Sequence, residues 1–137
     1  MKVIICEEDY SYIELVHSTL FKFAKVKGIN AEFNLTTRKP SSIIRFLESD
    51  QAELYYISLD LVETMPAIEL IKEIREKNEK ALIHVMSTDI VKLKDPELTQ
   101  YKIFGQIVKT TNGSMRDELR KSFAESFSYL KANSYFA

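Results

Sequence analysis

Five short apolar runs, each followed by a stretch of helical periodicity, constrain this chain more than any other feature of its sequence. Lys2 to Cys6 (KVIIC) is apolar and ends in acids, as a strand buried on both faces would. Ile13, Val16, Leu20 and Phe23 then recur at spacings of three and four, predicting a helix from about Tyr10 to Lys25 with Gly28 at its stop. Asn30 to Leu35 alternates polar and apolar, the pattern of a half-exposed edge strand. Pro40 precedes a short helix beginning at Ser41 and carrying Ile43, Ile44 and Leu47. Leu54 to Leu59 is aromatic and β-branched, hence a buried strand, and Pro66 opens a helix with Ala67, Ile68, Ile71 and Ile74 inward. Ala81 to Met86 and Phe104 to Val108 are the last two strands, and Leu119, Phe123, Phe127 and Leu130 stripe the final helix.

Strand and helix thus alternate five times, about 27 residues per unit over 137 residues. Parallel neighbours need a helical crossover, so the order predicts an α/β, flavodoxin-like (βα)5 fold: a doubly wound, five-stranded parallel sheet with helices on both faces. Such a sheet works beyond the carboxyl ends of its strands, at the topological switch point. The residues to weigh are therefore Glu7 and Glu8, Ser58 to Asp60, Met86 to Thr88, and Lys109 to Thr111.

Composition narrows the function. Nineteen Lys and Arg against twenty Asp and Glu leave a net charge of −1, unsuited to gripping nucleic acid directly. One cysteine, Cys6, excludes an internal disulfide, and two histidines leave little for a metal centre. No apolar run reaches the ~20 residues of a membrane span, and Val3-Ile4-Ile5 is too short for a signal-peptide core. The expectation is a cytoplasmic, single-domain protein without membrane contact. The first strand–helix loop has no glycine, so a dinucleotide or P-loop cradle is excluded, and no nucleophile–histidine arrangement suggests an enzyme.

Glu7, Glu8 and Asp9 repel one another, which a divalent cation would relieve. Asp9 equally suits the N-cap of the next helix. Lys109, leaving the last strand, is either a counter-ion for a phosphoryl or carboxylate group or a solvated lysine. Cys6 reads as buried and inert, His84 as a hydrogen-bonded core or surface-facing residue, and Tyr55 and Tyr56 as core or interface aromatics. Lys92, Lys94 and Lys102 read as a scattered solvated face.

Together the strand ends resemble the receiver domain of bacterial two-component response regulators, above all receivers that precede a LytTR DNA-binding domain. VIICEEDY resembles the opening strand and acidic pair, YYISLDLVETMPAIELIKEIR the third strand, acceptor loop and third helix, LIHVMST the fourth strand, and FGQIVK the fifth strand with its lysine. The resemblance covers residues 1–130, leaving 131–137 as a tail or a linker to an absent effector domain. It implies that Glu7 and Glu8 match the metal-binding acids and Lys109 the phosphate counter-ion. The gapless alignment places Ser58 at the phosphoacceptor position and the switch positions at Met86, with Ser87 next, and at Gln106. The implied function is a degenerate, non-enzymatic receiver that regulates transcription through protein contacts. Mg2+ would be held only weakly, by Glu7, Glu8 and the Asp60 backbone carbonyl, because Ser58 adds no charge.

The alternative reading has Asp60 as acceptor, with Mg2+ and a sensor histidine kinase as donor. Asp60 lies two residues past Ser58, and a strand slip of two would bring it to the same place. Implied partners are a sensor histidine kinase or another regulatory protein, a second copy of the chain, and DNA only through a LytTR domain. The expected contact face carries Leu98, Tyr101, Gln106, Arg116 and Arg120.

Overall fold

The computed structural model describes residues 1–62 and 65–133. Its strands are β1 (Lys2–Cys6), β2 (Glu32–Thr37), β3 (Leu54–Ser58), β4 (Leu82–Ser87) and β5 (Gly105–Val108), all parallel, in the order β2-β1-β3-β4-β5. Its helices are α1 (Tyr10–Lys27), α2 (Pro40–Leu47), α3 (Ala67–Lys77), α4 (Ile90–Leu93) and α5 (Gly113–Ala132). The doubly wound five-stranded sheet expected from the sequence is present.

Alternation along each strand divides the core in two. Ile4, Tyr55, Ile57, Ile83 and Val85 face α2, α3 and α4, meeting Ile43, Leu70, Ile71 and Leu93. Val3, Ile5, Tyr56, Met86 and Ile107 face α1 and α5, meeting Val16, Leu20, Leu119 and Phe123. Tyr55 and Tyr56 are wholly buried core residues, and the Tyr56 hydroxyl lies 2.8 Å from Ser122 Oγ.

Local chemistry sets the helix ends. Asp9 caps α1, its Oδ1 accepting from the Ser11 N–H at 2.9 Å. Gly28 closes α1 at φ 67°, a left-handed turn that costs glycine nothing. β2 lies at the sheet edge as expected, but over Glu32–Thr37, two residues later than the alternation suggested.

Two further differences matter for the site. β4 runs through Ser87, one residue beyond the expected end. The fourth helix shrinks to Ile90–Leu93, because Pro96 carries no N–H to continue it; a 3-10 turn over Pro96–Tyr101 follows. Leu98, expected on a contact face, is buried in that turn at 3% exposure. α5 continues to Ala132, past the expected domain end at residue 130, and residues 134–137 of the expected tail lie outside the described residues.

At the end of the sheet away from the carboxyl ends, Arg75 of α3 gathers backbone carbonyls. Nε donates to Tyr101 O at 2.9 Å, Nη1 to Glu79 O and Ala81 O at 2.8 Å each, and Nη2 to Lys102 O at 3.1 Å. Among the described residues no helix is long and apolar enough to cross a membrane.

Candidate functional site

The order of winding reverses at β1, whose neighbours β2 and β3 depart in opposite directions, so a crevice opens above the carboxyl ends of β1 and β3. Cys6 pairs with Ile57 and Ser58 with Met86, which fixes the third strand without a slip. Ser58 is the last residue of β3, directly after the buried Tyr55-Tyr56-Ile57.

Lys109 leaves β5 and turns its ammonium into the crevice. Nζ lies 2.8 Å from Glu7 Oε1, 2.9 Å from Asp60 Oδ2 and 3.0 Å from Ser58 Oγ, one acceptor for each of its three protons. The Tyr12 ring lies 4.8 Å from the same nitrogen. Glu7 and Lys109 are both buried. Burial works to lower the lysine's pKa, but Glu7 and Asp60 outweigh it and hold it raised. Lys109 is therefore a buried cation within an acidic pocket. Glu7 is equally engaged, its Oε2 accepting from the N–H groups of Glu8 and Asp9 at 2.9 and 3.2 Å. Glu8 Oε1 accepts from the Val62 N–H at 2.8 Å.

Asp60 reaches the crevice without a strand slip. The chain turns after β3, with Ser58 Oγ accepting the Asp60 N–H at 3.1 Å, and the turn carries the carboxylate across the end of β4. There Oδ1 accepts from Ser87 Oγ at 2.7 Å and Lys92 Nζ at 3.2 Å, and Oδ2 from the Thr88 N–H at 3.0 Å and Lys109. Partial burial works to raise its pKa, but the Ser87 hydroxyl, the Thr88 N–H and Lys109 hold the carboxyl well below the usual carboxylate range.

The structure thus brings Glu7, Ser58, Asp60, Ser87 and Lys109 together, with Glu8 beside them. Met86 does not join them: it is fully buried on the α1 and α5 side, and the next residue supplies the hydroxyl. Gln106 lies on the exposed side of β5 and donates from Nε2 to Leu93 O at 2.5 Å. Lys92, read from the sequence as part of a solvated face, is instead an ion-pair partner of Asp60. No periodicity could have marked it, since the contact spans 32 residues across a loop. Cys6 is buried as expected, its thiol pushed up to about 12 by burial.

Glu7, Glu8 and Asp60 are the oxygen donors a divalent ion would need. Lys109 stands between Glu7 and Asp60, and among the described residues no three acidic, histidine or cysteine side chains converge as a metal site. In this arrangement the donor set does not fit Mg2+ unless Lys109 is displaced.

No family model and no curated protein matches the sequence. Solved structures do. The response regulatory domain of mrkE from Klebsiella pneumoniae superposes with a TM-score of 0.81 at 13% identity, over 96% of this chain and 99% of that one. The isolated REC domain of RcsB from Salmonella enterica serovar Typhimurium, in the presence of phosphomimetic BeF3−, gives 0.73 at 19% identity, over 95% and 97%. The response regulator TrrA from Thermotoga maritima, in complex with Mg2+ and BeF, gives 0.68 at 16%, over 91% and 97%. By these superpositions this chain has the fold of response-regulator receiver domains.

Proposed function

We propose that the chain is a receiver-type module of a two-component response regulator, regulating transcription through protein contacts and not acting as an enzyme. In this reading it works without the usual aspartyl phosphorylation at the end of the third strand. The observation that carries the reading is Lys109: the ammonium that would neutralise an incoming phosphoryl group is already shared among Glu7, Ser58 and Asp60. An acyl phosphate requires a carboxylate nucleophile, and the strand-end position holds the alcohol of Ser58. Among the described residues neither imidazole serves that alcohol as a base: His84 packs against Tyr56 and Ser126, and His17 against Phe21 and Phe33. Upstream partners of matching chemistry are a sensor histidine kinase or another regulatory protein. A second copy of the chain is a further partner, and DNA is reached only through a separate output domain such as LytTR.

A second reading has its own observation. The Asp60 carboxylate meets a hydroxyl, a backbone N–H and an ammonium, from Ser87, Thr88 and Lys109, the three groups that would line a phosphoryl group carried on Asp60. In that case an Asp60 oxygen bonds phosphorus as the donor's P–N or P–O bond breaks.

Incubation with acetyl phosphate, and separately with beryllofluoride and Mg2+, separates the readings. Unchanged mass and unchanged amide resonances of Ser87, Thr88 and Lys109 are expected. A stoichiometric acyl phosphate, lost in Asp60→Asn, would establish the second reading and overturn the first.

A further inference from the structure

A helix of four residues cannot sustain itself, because nucleation consumes more backbone freedom than one turn of hydrogen bonds returns. α4 (Ile90–Leu93) is such a helix, so its placement is imposed from outside. Its own Leu93 is buried in the core, and three polar attachments hold it. Ser87 Oγ accepts the N–H of Asp89, the α4 cap, at 2.9 Å while donating to Asp60 Oδ1 at 2.7 Å. Lys92, within α4, puts Nζ 3.2 Å from the same Asp60 oxygen. Gln106 Nε2 takes the Leu93 carbonyl at 2.5 Å, tying the far end of the turn to β5.

We propose that Lys92 and Gln106 are positioning residues that make the placement of α4 depend on the charge of the Asp60 carboxylate. The route runs from Asp60 through Lys92 to α4, and from Leu93 through Gln106 to the exposed edge strand. It uses no hydroxyl–aromatic coupling: Ser87 supplies a hydroxyl, but Gln106 offers no aromatic ring. Asp60→Asn removes the charge that Lys92 seeks but leaves an amide able to bond Ser87, so the two attachments to Asp60 are separable. Lys92 is half exposed, so its contact is modest and weakened by salt. The inference concerns the unmodified protein and stands whether or not Asp60 accepts a phosphoryl group.

Amide hydrogen exchange on the full chain tests it, reading Lys92, Leu93 and Lys94 against Ile57 and Val85 of the core. Asp60→Asn and Lys92→Ala should each speed exchange of the three α4 amides roughly two- to fivefold, with the core unchanged. The double variant should go no further than either single one, and Lys92→Arg should stay near the wild type. Gln106→Ala should loosen the same amides, and high salt should bring the wild type toward Lys92→Ala. If Asp60→Asn leaves α4 unchanged, or its effect adds to that of Lys92→Ala, the coupling does not exist. No phosphodonor is present, so that failure leaves the receiver reading intact.

Discussion

Lys109 and Glu7, 102 residues apart in sequence, form a buried ion pair of 2.8 Å that joins the first strand's end to the last. Removing one partner leaves the other's charge uncompensated away from water. Lys109→Met should therefore destabilise the fold by about 3–5 kcal/mol. The double variant Lys109→Met, Glu7→Gln should recover much of that loss. Urea unfolding of the wild type and both variants checks both expectations, and a double variant no better than the single one would show the pair is not the cause.

His84 gives the pH dependence its own window. Its ring stacks on Tyr56 at 4.6 Å, with Ser126 Oγ 3.2 Å from Nε2, and burial pulls its pKa down to about 4. The unfolded imidazole binds its proton near 6.5, so between 6.5 and about 4 the unfolded state holds more protons than the folded one. Stability is full above the upper value and falls by roughly 3 kcal/mol as pH drops through the window. Asp60, depressed below the carboxylate range, loses its contribution only at lower pH. Urea midpoints from pH 7 to 4 should slope in the wild type and flatten in His84→Gln.

Gly105 is constrained by the same imidazole. A methyl group there would sit 2.7 Å from His84 Cδ2. Gly105→Ala should cost about 1–3 kcal/mol, and distinctly less when His84 is also alanine. Additive costs in the double-mutant cycle would place the strain elsewhere.

Ser58→Asp would put a carboxylate beside Glu7, where the wild type supplies only a hydroxyl. Calorimetry should show wild-type Mg2+ binding no tighter than about millimolar and a clear gain in the variant. Equal affinities would mean that Ser58 does not face the ion's position.

Much of the architecture was legible in the sequence because buried parallel strands leave continuous apolar runs and amphipathic helices leave spacings of three and four. The acidic pair and Lys109 were legible for the same reason, as they sit directly beyond such runs. What escaped was decided by short-range geometry. Ending the fourth strand at Met86 left the hydroxyl position shared between Met86 and Ser87; one more residue pairs, which puts the Ser87 hydroxyl in the crevice and Met86 in the core. Asp60 was reachable on paper only by slipping the strand, whereas a turn closed on Ser58 Oγ delivers its carboxylate with the register intact. Lys92 acquires its role only when two loops meet, which no local pattern records.

The carbonyl cradle around Arg75 has a mechanical consequence. Tyr101 and Lys102, where the segment beginning at α4 rejoins the sheet, are fastened to the third helix by a guanidinium that also grips Glu79 and Ala81. The opposite end, at Asp89 to Lys92, hangs from side chains of the crevice. The segment is thus a span held at both ends, by Arg75 at one and by β4 with the crevice side chains at the other, so a displacement started at Asp60 enters it beside Ile90 and Val91, whose apolar side chains already stand in solvent, and is stopped at Lys102.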